Sequence, residues 1–230
     1  MQTDGRKLIV ANWKSHKTLA ECKSWLSVVG PEAKKSPYTI IVCPPAHLLL
    51  AAQYEIQSKK YSIILSAQDV SMFPMGSYTG AITAQQLAGV GVTYVIVGHS
   101  ERRRYFHETY QDVANKIDLA ISEKIIPIVC LRKEDITQQA AAIDEKQYRS
   151  IIVLYETVGH IGTGEVEAMD SVMESVGLIQ KAFGDQTPIL YGGSISSETK
   201  KEFLERSSIS GVVVGTDSLD PRVFLSLIAG

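Results

Sequence analysis

Residues 152–164 read "IVLYETVGHIGTG". An apolar, β-branched run ends at one carboxylate, Glu156, and a glycine-rich stretch follows at once. A run that is apolar throughout, rather than alternating, is the mark of a parallel strand covered on both faces. Taken alone, Glu156 is no more than a solvated charge at a strand end. The same pattern recurs along the chain, and the recurrence decides the fold. Comparable runs are "KLIVANWK" (7–14), "TIIVCPP" (39–45), "SIILSAQ" (62–68), "TYVIVGHS" (93–100), "IIPIVCL" (125–131), "SIIVLYE" (150–156), "PILYGGS" (188–194) and "GVVVGT" (211–216). Helical stretches fill the gaps, from "TLAECKSWLSVV" near the start to "DPRVFLSLIA" at the end. Thr83, Ser196 and Asp220 read as N-caps, and Pro45 and Pro221 as first-turn residues.

Eight strands in strict alternation with eight helices imply right-handed crossovers and an all-parallel sheet. Eight such units in 230 residues predict an α/β fold of one closed (β/α)₈ barrel, with no linker and a single catalytic domain over residues 1–230. A doubly wound open sheet is the competing architecture. It lacks the GxGxxG that a dinucleotide fold places after the first strand.

Bulk composition narrows the function classes. The chain is 45% hydrophobic and 21% charged, with a formal net charge of −2, which leaves no basic footprint for nucleic acid. The densest basic run, Arg102 to Arg104, lies between Glu101 and Glu108 and reads as a solvated or salt-bridged helix face. Cys22, Cys43 and Cys130 have no metal-like spacing and read as reduced core thiols of a cytoplasmic protein. No apolar stretch reaches the roughly 18 residues of a membrane span, and no His pairs with Asp or Glu at metal-ligand spacing.

A barrel gathers its chemistry at the C-terminal ends of its strands. There the chain puts Asn12 and Lys14 (first strand), His99 and Glu101 (fourth), Glu156 (sixth), Gly192, Gly193 and Ser194 (seventh), and Gly215 and Thr216 (eighth). Carboxylate, imidazole and ammonium around one mouth suit proton abstraction next to a carbonyl, with donors stabilising the enediolate. Backbone N–H groups after strands seven and eight suit a phosphate dianion. The substrate predicted is a small phosphorylated aldehyde or ketone.

The motifs "ANWK" (11–14), "VIVGHSERR" (95–103), "YE" with "IGTG" (155–156, 161–164) and "YGGS" (191–194) resemble those of the triosephosphate isomerase family. "CPPAHLL" (43–49), "SAQDV" (66–70) and "PIVC" (127–130) fall in the same order, so the resemblance spans nearly the whole chain. It implies interconversion of dihydroxyacetone phosphate and D-glyceraldehyde 3-phosphate, a glycolytic and gluconeogenic step, without cofactor or metal. By position, Glu156 would shuttle the proton and His99 would act as neutral electrophile, a division of labour for which this family is itself the standard illustration. Lys14 would stabilise negative charge, Asn12 would orient the substrate, and Glu101 would bond near Lys14. Gly162, Ser194, Gly215 and Thr216 would form the phosphate loops. The resemblance also implies a homodimer through the apolar loop 71–80, with Thr79 reaching the partner's site.

The chain departs from the family in three places. In the lid, where the family runs Glu-Pro-x-Trp-Ala, it has Thr157, Gly159 and His160; loss of the proline predicts a looser hinge. After "PIVC" it carries Arg132 and Lys133 in place of a Gly-Glu pair. In the eighth loop Thr216 replaces a glycine, a strained position if its φ is positive, and Asp217 follows. These departures leave two further readings: another phosphosugar-processing barrel with an altered lid, or a phosphate-ligand-binding barrel without turnover.

Overall fold

The computed structural model describes residues 5–157 and 167–230. Eight parallel strands, β1 (Leu8–Asn12), β2 (Thr39–Cys43), β3 (Ile63–Ala67), β4 (Tyr94–Val97), β5 (Ile126–Leu131), β6 (Ile152–Glu156), β7 (Ile189–Gly192) and β8 (Gly211–Val214), close in sequence order. Closure is made by β1 and β8, paired Leu8↔Gly211 through Ala11↔Val214. All eight predicted strands are present, each as an apolar run.

Alternation along the strands separates two apolar layers. Leu8, Val10, Ile96, Ile128, Ile152 and Leu154 share a buried cluster inside the barrel. Ile9, Ala11, Val153 and Tyr155 belong to the layer between strands and helices. The next inward positions on β1 and β6 are Asn12 and Glu156, so the period that fills the barrel also aims these polar groups into its mouth.

The helices are α1 (Leu19–Ala33), α2 (Leu49–Lys59), α3 (Ala84–Val90), α4 (Ser100–Phe106), α5 (Tyr110–Ser122), α6 (Ile136–Ala142), α7 (Met169–Phe183), α8 (Lys200–Leu204) and α9 (Pro221–Ile228). Capping boxes start α1 (Thr18, Glu21), α3 (Thr83, Gln86) and α5 (Thr109, Asp112). Asp220 caps α9, with Pro221 in its first turn. Ser196 does not cap α8, whose N-cap is Thr199; its hydroxyl accepts from the Glu198 and Thr199 amides one turn earlier. In α7 the buried Val172, Val176, Ile179 and Phe183 trace one face at helical spacing.

Helix α4 is additional to the eight predicted. None of its residues is buried, so it carries no apolar stripe to read. Of the two readings of its basic run, Arg102 follows the salt-bridged one: it bridges Asp69 (2.8 Å) and Glu108 (3.0 Å), while Arg103 donates to Gly98 O (2.8 Å) and Gln139 Oε1 (2.7 Å). Lys116 of α5, itself buried, joins the same network through Asp69 and Glu108. Burial pushes the Glu108 carboxyl up, but Lys116 and Arg102 outweigh it and hold the group below its ordinary value.

Candidate active site

His99 caps α4, and its position is set by that role. Its Nδ1 accepts the Glu101 N–H at 3.2 Å, which leaves the ring hydrogen on Nε2. Nε2 then faces Glu156 Oε1 at 3.0 Å, while Glu156 Oε2 accepts the Ser100 N–H at 2.9 Å. Both side chains are nearly closed off from solvent, with Glu156 4% and His99 7% exposed. A buried carboxylate thus sits between an imidazole N–H and a helix-start amide, the two donors that satisfy it.

Lys14 approaches from β1. Its backbone is left-handed (φ +49°), a conformation that costs a non-glycine residue about 1–3 kcal/mol and persists only where neighbours over-determine it. Asn12 Oδ1 accepts the Lys14 N–H at 3.0 Å, and the ammonium meets Glu101 Oε1 at 2.6 Å. A residue absent from the sequence-derived site completes the hold: Gln68 Nε2 donates to the Lys14 carbonyl at 2.9 Å.

Asn12, Lys14, His99, Glu101 and Glu156 therefore lie at one mouth. Gly215 joins them from β8, since a Cβ there would lie 3.7 Å from Lys14 Cε. Its carbonyl accepts from Ser218 Oγ at 2.6 Å, and Ser218 O accepts from Trp25 Nε1 at 2.8 Å, which ties the turn to α1. Thr216 opens a 3₁₀ turn and is not among the described non-glycine residues with positive φ, so the anticipated strain is absent. Ser194 follows β7 at the same end of the barrel. Gly159, His160 and Gly162 lie outside the described residues.

Next to Glu156 stands Thr157, where the family pattern has proline. Thr157 is buried, its N–H donates to Gly192 O at 3.0 Å, and its Oγ1 lies 3.4 Å from Tyr191 OH. Proline at 157 would lose that amide bond, so it is not the neutral stiffener of the hinge that the family pattern implies. A Cβ at Gly193 would lie 2.4 Å from Tyr191 OH and 2.5 Å from Thr157 Oγ1, so this hydroxyl pair requires glycine at 193.

Arg132 turns back on its own loop rather than into the mouth. Its guanidinium grips Asp135 at 2.8 and 3.0 Å, Tyr110 OH adds a bond to Asp135 at 2.8 Å, and Lys133 pairs with Glu174 at 2.9 Å. Burial raises the Asp135 carboxyl, but the Arg132 and Tyr110 donors outweigh it and hold the group below its ordinary value of 3.8. Its contribution is therefore full above that value and is lost as pH falls through the lower folded one. Asp135→Asn is expected to cost about 1–3 kcal/mol at neutral pH. In denaturant titrations the gap between parent and variant should narrow as pH falls from about 4 towards 2. A gap unchanged over that range would mean that the carboxylate charge is not what stabilises this loop.

The thiols are inert. Burial pushes Cys22 up to about 11, Cys43 to about 12, and Cys130 well above its ordinary value. Among the described residues no group of His, Cys, Asp and Glu is placed to hold a metal ion.

A closed (β/α)₈ barrel whose mouth pairs a buried carboxylate with an imidazole N–H and an ammonium is the architecture of a proton-transfer enzyme acting on a small carbonyl compound. The family model for triosephosphate isomerase matches residues 7–230. Curated proteins named triosephosphate isomerase are similar over nearly their full length: 36% identity in a Synechococcus species (96% of this chain, 95% of the relative), 34% in Dictyoglomus thermophilum (97% and 98%) and 31% in Mycoplasmoides gallisepticum (97% of each). The chain belongs to the triosephosphate isomerase family.

Proposed function

We propose that this chain interconverts dihydroxyacetone phosphate and D-glyceraldehyde 3-phosphate in the cytoplasm, as a glycolytic and gluconeogenic enzyme. The observation that carries the reading is the Glu156–His99 pair, 3.0 Å apart at the mouth of a family barrel. With no substrate bound, both Glu156 carboxylate oxygens are engaged, one by His99 Nε2 and one by the Ser100 N–H. A substrate whose carbonyl oxygen takes over the His99 Nε2–H removes one of these donors, so binding itself frees the carboxylate. Glu156 then takes the proton from the carbon next to the carbonyl, and the charge passes to the carbonyl oxygen as an enediolate. His99 Nε2–H and the Lys14 ammonium stabilise that oxygen. The carboxylic acid returns its proton to the neighbouring carbon, which completes the isomerisation with no net gain or loss of atoms or electrons. Asn12 orients the substrate, Glu101 holds Lys14, and Ser194, Gly215, Thr216 and Gly162 receive the phosphate. A coupled assay of both trioses without added cofactor tests the reading; turnover of neither overturns it.

The same reading includes a homodimer through loop 71–80. Phe73 and Tyr78 stack on each other (4.4 Å, 6°), yet both stay exposed, as does Met75 at 60%. A cavity of about 630 Å³ runs from Asn12, Lys14 and His99 under residues 69–82, flanked by Leu49 and Phe106. Exposed apolar groups clustered on one loop are costly in water and favour association with a second copy. Light scattering is expected to give twice the 25.2 kDa chain mass at micromolar concentration. A fully active monomer would remove the dimer from the proposal.

A further inference from the structure

We propose that Gln68 is a positioning residue for Lys14, an inference that rests on the isomerase reading above. The ladder between β2 and β3 ends at Val42↔Leu65, so the two strands part below the mouth, and β3 pairs with β4 at only Ser66↔Tyr94 and Ala67↔Val95. Gln68, the residue after β3, spans the gap with its side chain. One amide nitrogen donates to Cys43 O at 2.7 Å, at the end of β2, and to Lys14 O at 2.9 Å, in the turn after β1. Two carbonyl acceptors dictate the amide's orientation, because the reversed amide would set oxygen against oxygen.

The bond to Lys14 O falls where the backbone is left-handed. The peptide on the N-terminal side of Lys14 is held by Asn12 Oδ1 at 3.0 Å, and the ammonium by Glu101 at 2.6 Å. Without Gln68 the C-terminal side of this turn has no side-chain tie from the neighbouring strands among the hydrogen bonds of the described residues. The turn then relaxes towards ordinary backbone, and the direction of the Lys14 side chain changes with it. Gln68 also borders the recess under residues 69–82, so it forms part of the wall between that recess and the mouth.

A residue that acts through Lys14 must lose its effect when Lys14 is gone, whereas a residue that merely supports the barrel must not. Gln68→Met keeps the length and removes both donors. In the parent it is expected to lower kcat/KM by about 10–100-fold, with a rise in KM as the substrate anion loses a well-placed cation. In a Lys14→Met background the same change is expected to cost less than about threefold. Dissociation constants for glycerol 3-phosphate, which cannot react, should show the same coupling. Equal losses in both backgrounds would overturn the inference. If Gln68→Met fails to give a folded barrel, Gln68→Asn, which withdraws the amide by one methylene, is carried through the same cycle. A parent that turns over neither triose defeats the isomerase reading itself; an active parent with an additive cycle defeats only the role of Gln68.

Discussion

Glu156→Gln is expected to lower turnover of both triose phosphates by about 10²–10⁴-fold or more, because the buried carboxylate paired with His99 loses its ability to accept a proton. The substitution is less innocent structurally than its shape implies. In the parent, both carboxylate oxygens accept: Oε1 from His99 Nε2 and Oε2 from the Ser100 N–H. A carboxamide offers one oxygen and one NH₂, so one of these donors must face another donor. If the oxygen takes Ser100, the NH₂ meets His99 Nε2–H. The ring escapes only by moving its hydrogen to Nδ1, which already accepts the Glu101 N–H at 3.2 Å. The variant is therefore expected to lose about 1–3 kcal/mol of stability along with its activity. Far-UV circular dichroism should report an intact barrel, and the coupled assay the loss. A kcat within about threefold of the parent would remove Glu156 from the role of base.

The largest expected effect on stability is at Gly211. A Cβ there would lie 2.2 Å from Leu8 O and 2.8 Å from Leu8 C, both backbone atoms of the strand that closes the barrel. Backbone cannot rotate aside as a side-chain tip does, so β8 must move away from β1. That ladder runs over only four residue pairs. Gly211→Ala is expected to cost at least about 3 kcal/mol, above the usual range for overpacking by one methyl. For a chain of this length that corresponds to a thermal midpoint lower by about 6–12 °C. Activity should fall too, since β8 carries Gly215 to within reach of Lys14. Gly177→Ala is the control. It lies inside α7 with nothing within 4 Å of a new Cβ, and helix propensity alone should stabilise it by about 0.5–1 kcal/mol. Opposite signs for the same added methyl group would locate the effect in strand closure. A Gly211→Ala midpoint equal to the parent's would show that β8 can shift without loss.

The order and type of the strands were legible because each is a short run buried on both faces, and burial is written in composition. Glu156 and Asn12 were legible as groups at the barrel mouth because each ends an apolar strand run; that they point inward follows from the two-residue alternation seen in the folded strands. Helix α4 was legible only as a charged helix face around Arg102 to Arg104 and not as a separate packed element, since a helix without a buried face leaves no apolar period to read. The burial of Lys116 was not legible either. A lysine in a helix reads as solvated, yet this one is buried against Asp69 and Glu108, partners 47 and 8 residues away. Whether the turn at Thr216 is strained depends on the sign of its φ, which residue identity does not give; the backbone there stays out of the left-handed region.

By itself, then, the amino-acid sequence determined the eightfold strand–helix alternation, the end of the barrel at which polar residues gather, and the family to which its motifs point. Those properties depend on period and local composition, which neighbouring residues carry among themselves. Tertiary structure alone decided how the polar groups hold one another. The His99 tautomer follows from an amide two residues on, but the Glu156 contact it creates spans the barrel from β4 to β6. Lys14, with its left-handed backbone, is bonded by Gln68 across 54 residues. Thr157 is buried because its amide finds the carbonyl of Gly192 on the next strand. Hydrogen bonds are short and directional, so whether two groups meet depends on ångström-scale placement that only the closed barrel supplies.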